Sequence, residues 1–186
     1  MRIGGGSYRS RTLRTPKGDL TRPTSGMVRE TLFNMLAPLL PEASFLDLFA
    51  GCGSVGLEAL SRGAASATFV ESARPALDCL RANIETLGVA GQTSVLPYPV
   101  LRALEQLTQQ GESFDIIFLD PPFHDSSAYQ QVLDALAPVE VLAPDGLIIA
   151  QHGPRVKVPE QCPPFTRYRQ RDIGDNVLSF YRRVAK

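Results

Sequence analysis

Phe45-Leu-Asp47-Leu-Phe-Ala-Gly51-Cys-Gly53-Ser-Val-Gly56-Leu-Glu-Ala-Leu-Ser-Arg62 is the stretch on which the fold turns. Residues 45–49 are an apolar run too short for a helix, the glycines interrupt it, and residues 54–62 have helical spacing. Strand, loop and helix follow one another directly. Working outward, the same alternation recurs, with strands expected over 67–71, 93–96, 114–120 and 146–150 and helices over 75–87, 100–109 and 127–136. Gly63, Gly88 and Gly111 stand where helices stop. Strands joined by helices imply right-handed crossovers and a parallel sheet covered on both faces, and the apolar run 114–120 suits its centre. The end of the chain differs. Residues 163–171 and 176–183 are strand-like and are separated by the turn-rich Asp172-Ile-Gly-Asp175, which predicts an antiparallel hairpin. Near the other end, Val28, Leu32, Met35 and Leu36 mark an amphipathic helix over 27–36, with Pro23, Thr24 and Ser25 as its start signals. The expectation is α/β, with residues 1–40 a basic arm and helix belonging to the same domain as residues 41–186.

The 186 residues are enough for one domain that buries roughly 70% of its unfolded surface. At 44% hydrophobic and 20% charged, with no apolar run near the roughly 18–20 residues of a membrane span, a transmembrane reading is excluded. The first residues lack the apolar core of a secretory signal, so the cytoplasm is the expected compartment. Three cysteines without paired spacing argue against a disulfide framework or a cysteine zinc site, and no metal is expected. The balance of 19 basic against 19 acidic residues conceals a segregation. Residues 1–30 carry +5, residues 167–186 carry +4 and the intervening chain −9. Two cationic ends on one compact domain would form one face for a polyanion if the termini lie close together, although a solvated basic tail is equally ordinary.

Two loops carry the chemistry. In the first, Gly51, Gly53 and Gly56 would let a ligand approach the backbone where the helix from Ser54 offers unpaired amides. Glu71, ending the second strand, can accept hydrogen bonds from two ribose hydroxyls. Gly51-Cys-Gly53-Ser-Val-Gly56 also matches a dinucleotide fingerprint, which keeps a nicotinamide or flavin enzyme in view. Against it stands Asp47 at the strand tip, which would repel a pyrophosphate and suits a cationic ligand such as the amino-acid moiety of S-adenosylmethionine. The second loop is Asp120-Pro121-Pro122-Phe123, at the end of the central strand. Its prolines remove two amides and leave an acceptor-only surface that grips an amino group, and Phe123 offers a stacking face worth about 1–3 kcal/mol. Acceptors holding both protons of an exocyclic amine would orient its lone pair toward a methyl donor.

These loops resemble those of class I S-adenosylmethionine-dependent N-methyltransferases. Arg22-Pro-Thr24, Val28-Arg-Glu-Thr-Leu-Phe-Asn34, Leu57-Glu-Ala-Leu-Ser-Arg-Gly63 and Asp120-Pro-Pro-Phe123, in that order, resemble the bacterial 16S ribosomal RNA (guanine(966)-N(2))-methyltransferase family over nearly the whole chain. The resemblance implies a Rossmann-like, seven-stranded sheet with a C-terminal hairpin. It also implies methylation of a guanine N2 in small-subunit RNA, on an assembled or assembling subunit, by a monomer. Carried over, Asp47, Gly51, Gly53 and Gly56 would surround the methionine part of S-adenosylmethionine and Glu71 its ribose; apart from the resemblance, Phe49 is expected at the cofactor and the Tyr98 ring would stack on its adenine. Asp120, Pro121, Pro122 and Phe123 would hold the guanine, and Arg9, Arg11, Arg14, Arg22, Thr24 and Arg29 would contact RNA. Two positions depart from the family's pattern: Pro99 stands where an Asp or Asn usually meets the adenine, and Gln151 where the fifth strand commonly ends in Glu. Methylation of adenine N6 or of a protein amide, and RNA binding without turnover, are the alternatives. His124 and His152 read more simply as solvated or structural, and Cys52 as packing.

Overall fold

A computed structural model describes residues 1–16, 24–122 and 126–184; the expectations for Arg22, Phe123 and His124 lie outside the described residues. Helix α1 (Gly26–Leu36) leads into β1 (Ser44–Asp47), α2 (Ser54–Ser61), β2 (Ser66–Val70), α3 (Arg74–Leu87), β3 (Thr93–Leu96), α4 (Val100–Gln109), β4 (Phe114–Leu119), α5 (Ser126–Leu136) and β5 (Leu142–His152). Strands β6 (Gln161–Cys162), β7 (Phe165–Ile173) and β8 (Asn176–Arg183) close the chain. All lie in one sheet of order β3-β2-β1-β4-β5-β8-β7-β6, parallel from β3 to β5 and antiparallel beyond. The chain leaves β1 for β2 and β3 and then returns to β4 on the other side of β1. That reversal is the topological switch point, and ligands of open α/β sheets bind outside the strand ends there.

Alternating side chains build two cores. Phe45, Phe69, Ile116, Phe118 and Ile149 face α1, α2 and α3, while Leu46, Val70, Ile117, Leu119 and Ile148 face α4 and α5. Helices therefore cover both faces. Every residue of α2 is buried, because the basic arm is no loose tail. Arg2 and Thr12 pair in an isolated bridge, Ile3 and Leu13 enter the core, and Gly6 (φ +77°) lies so close that a Cβ would collide with the Ser61 carbonyl. Ser7 donates its amide to that carbonyl at 2.7 Å, and the Ser61 hydroxyl donates to the Gly5 carbonyl at 2.6 Å.

Most element ends lie within one or two residues of the expected ones, and three differences affect the sheet. The sheet has an eighth, two-residue edge strand, Gln161–Cys162, before the expected hairpin. Strand β7 is Phe165–Ile173 instead of residues 163–171. Strand β5 begins at Leu142, four residues before the expected start, because the turn-forming Pro144-Asp-Gly146 sits inside a register shift opposite Asp115. Among the described residues no helix is long and apolar enough to cross a membrane.

Candidate active site

Backbone hydrogen bonds carry the first loop over the switch point: Leu48 donates to the Phe118 carbonyl and Ala50 to the Val70 carbonyl, each at 3.0 Å. Asp47, only 1% exposed, ends β1. Its Oδ2 accepts the Gly56 amide at 3.3 Å, and its Oδ1 is buried with no partner among the described residues. Burial foremost, then the charges of Asp120 and Glu71, push its pKa up to about 7. Glu71 accepts the Gly51 amide at 2.8 Å through one oxygen and the Ala73 amide at 2.7 Å through the other, tying the loop to the start of α3. The glycines divide in their reasons. A Cβ on Gly53 would collide with Leu80, and one on Gly56 with Phe69, so both are small for packing, and Gly53 (φ +84°) also for its left-handed backbone at the start of α2. Gly51 (φ +55°) faces open space, the one of the three beside which a ligand fits. The unpartnered Asp47 oxygen at the end of β1, and the open Gly51 held by the Glu71 carboxylate, fit a ligand with a cationic end and hydroxyl groups.

The second loop starts where β4 ends. Phe45, Phe118 and Ile149 share the α1–α3 core, and alternation from them sets Asp47, Asp120 and Gln151 on that same face. Asp120 is partly buried, Pro121 buried and Pro122 exposed. Burial raises the Asp120 pKa to about 7, and the Thr24 hydroxyl, donating to its Oδ2 at 3.4 Å, opposes that rise. On β5, Gln151 is buried and its Oε1 lacks a partner among the described residues, while its carbonyl accepts the Tyr129 hydroxyl at 2.7 Å. His152 is held by the Ser179 hydroxyl at 2.8 Å and the Gly153 carbonyl at 2.9 Å, and burial lowers its pKa. It is a structural histidine.

Other expected residues fall on both sides of the reading. Phe49 and Tyr98 are partly buried against the α4–α5 core, with Arg102 stacked 4.4 Å over the Tyr98 ring. Pro99 caps α4. Cys52 is buried, which raises its pKa and leaves it inert. Arg9, Arg11 and Arg14 are exposed on the N-terminal hairpin. Thr24 and Arg29, expected at the RNA, are instead 6% and 5% exposed. The reason is Glu58, fully buried in α2, which accepts Arg29 Nε at 2.9 Å and Arg62 Nη2 at 2.8 Å. Asn83 is the residue sequence reasoning missed. Its amide nitrogen donates to the Cys52 carbonyl at 2.9 Å and the Arg14 carbonyl at 3.0 Å, and its oxygen accepts the Arg14 amide at 2.7 Å. A polar residue on the apolar stripe of Leu80, Ile84 and Leu87 was its signal.

The family model described as Conserved hypothetical protein 95 matches residues 1–182. "Ribosomal RNA small subunit methyltransferase D" of Escherichia coli (strain K12) is 37% identical over 186 residues, covering 100% of this chain and 91% of that protein. Its Haemophilus influenzae namesake is 40% identical over 81% of this chain and 78% of its own length. A solved hypothetical protein of Thermus thermophilus superimposes with a TM-score of 0.83 at 32% identity over 99% of both chains. The chain belongs to the Conserved hypothetical protein 95 family, and its expected kinship with the bacterial small-subunit ribosomal RNA methyltransferases holds along its length.

Proposed function

We infer that this protein uses S-adenosylmethionine to methylate the exocyclic N2 amine of a guanine in 16S ribosomal RNA, in the cytoplasm. The observation that carries the reading is the pair Asp47 and Asp120 at the switch point, on one face of adjacent strands, each held near neutrality. The names of the full-length relatives supply the RNA. When bound, the cofactor supplies an electrophilic methyl group next to a sulfonium. Asp47 Oδ1 receives the cofactor's ammonium, an interaction that favours the charged carboxylate and offsets its burial. Glu71 already holds Gly51 and Ala73 and uses its remaining lone pairs for the ribose hydroxyls. Tyr98, two residues beyond β3, is the ring we assign to the adenine.

Asp120 accepts an N–H of the target amine, turns the nitrogen lone pair toward the methyl group and takes the proton the amine loses. A carboxyl with a pKa of about 7 is suited to that exchange near neutral pH. Pro121 and Pro122 present no competing amide donor, and Phe123 stacks on the base. Arg9, Arg11 and Arg14, together with Arg22, hold phosphates. Nucleoside analysis of small subunits from cells lacking this protein tests the reading, before and after incubation with the protein and cofactor. N2-methylguanosine should appear. N6-methyladenosine, or no new methylated nucleoside, contradicts it.

A further inference from the structure

We propose that Thr24 and Arg29 form a strut from Glu58 to Asp120 that sets the orientation of the Asp120 carboxylate, which makes both positioning residues for the amine-binding group. The inference rests on Asp120 receiving the amine. Its anchor is firm. Glu58 lies in the fully buried helix α2 and accepts Arg29 Nε at 2.9 Å, Arg62 Nε at 3.1 Å and the Gly4 amide at 3.2 Å. Arg29 passes the constraint on: its Nη1 donates to the Thr24 carbonyl at 3.1 Å and its Nη2 to the Arg2 carbonyl at 2.7 Å. A planar guanidinium bonded on three sides has no rotational freedom left. Thr24 is thereby held with its hydroxyl toward Asp120 Oδ2, at 3.4 Å. That separation is long for a hydroxyl on a carboxylate, and such contacts shorten when substrate completes the site.

Residue chemistry agrees with this geometry. Arg29 is a buried cation paired with Glu58, which it shares with Arg62, so the strut reaches Asp120 through shape and one hydroxyl and not through a free cation. Among the described residues, the other ionisable groups facing Asp120 are Asp47 from β1 and Tyr129 from α5, both acids that gain nothing from a second negative charge nearby. Among the described residues, the Thr24 hydroxyl is the contact that favours the ionised Asp120. The strut also explains why the arginine and threonine of the two N-terminal motifs are buried although the surrounding segment is cationic.

The test replaces Thr24 by valine, which keeps the shape and removes the hydroxyl, and by serine, which restores it. Carboxyl-carbon NMR of the free protein reads the Asp120 titration without any turnover, and the pH profile of kcat reads its consequence. Thr24→Val should raise the Asp120 titration by about one pH unit and lower kcat at pH 7 about fivefold, with RNA affinity and its salt dependence unchanged. Thr24→Ser should restore both. Combined with Arg29→Lys, the effect should be less than additive; if Arg29→Lys does not fold, the Thr24 pair decides alone. Weaker RNA binding with an unmoved titration would overturn the strut and make Thr24 an RNA contact, and so would no change at all. A wild-type rate in Asp120→Asn, with the Thr24→Val titration still displaced, would instead sink the role of Asp120 and leave the strut standing.

Discussion

Asp47 is a carboxyl enclosed by the fold, and burial, with the charges of Asp120 and Glu71 nearby, holds its pKa at about 7. Its carboxyl binds a proton more tightly in the folded chain than in the unfolded one, so its contribution to stability is full below the unfolded value of 3.8 and is lost as pH rises through about 7. His152 has the opposite sign, since its lowered pKa costs stability as pH falls below 6.5. A comparison that leaves His152 unchanged isolates the aspartate. Asp47→Asn should gain thermal stability over the wild type progressively between pH 4 and about 7 and hold that gain above it, as measured by Tm across that range. The same variant should bind S-adenosylhomocysteine at least tenfold more weakly in a calorimetric titration, because a charge-assisted hydrogen bond worth roughly 1.5–3 kcal/mol is gone. Asp47, Glu71 and Asp120 were legible in the sequence as acidic residues at the ends of apolar strands. The roles of Gly53 and Gly56 were not, because a ligand loop and a tight helix–sheet contact both call for glycine and only the neighbours Leu80 and Phe69 tell them apart.

Among the elements, α2 bears the greatest load. It is short, buried all round and holds a carboxylate shared by two arginines, one of which also lies 5.2 Å over the Phe33 ring. Glu58→Ala should destabilise the protein by about 3–5 kcal/mol in urea unfolding, because Arg29 is left buried and unpaired. Gly56→Ala should cost about 1–3 kcal/mol by forcing Phe69 from its position, with Asp47 turned from its amide partner as a further result. Strands, helices and the parallel alternation were legible because apolar periods of 2 and 3.6 dominate the middle of the chain. Strand β5 was cut short in the reading because Pro144, Asp145 and Gly146 are turn formers that here occupy a bulge. The N-terminal hairpin left no trace of period, being held by amides, Ser61 and a single bridge.

For the whole molecule, the cationic N-terminal segment becomes a hairpin that exposes Arg9, Arg11 and Arg14 and is tied through Asn83 to the first loop at Cys52, while the C-terminal arginines lie on β7 and β8. Arg9→Ala and Arg11→Ala should each weaken RNA binding and reduce the salt slope by about one, with kcat at saturating RNA unchanged. The segregation itself was plain in the sequence. Which arginines face solvent was not, since Arg29 is buried by contacts that only folding assembles, with Glu58 and with the carbonyls of Thr24 and Arg2. The most direct test of the central claim is single-turnover tritium transfer from labelled S-adenosylmethionine to unmodified small subunits, by the wild type beside Asp120→Ala, with cofactor binding measured on both. Label in N2-methylguanosine that is lost in the variant while cofactor binding persists is the expected result. Undiminished transfer by Asp120→Ala would contradict a mechanism that places the amine on that carboxylate.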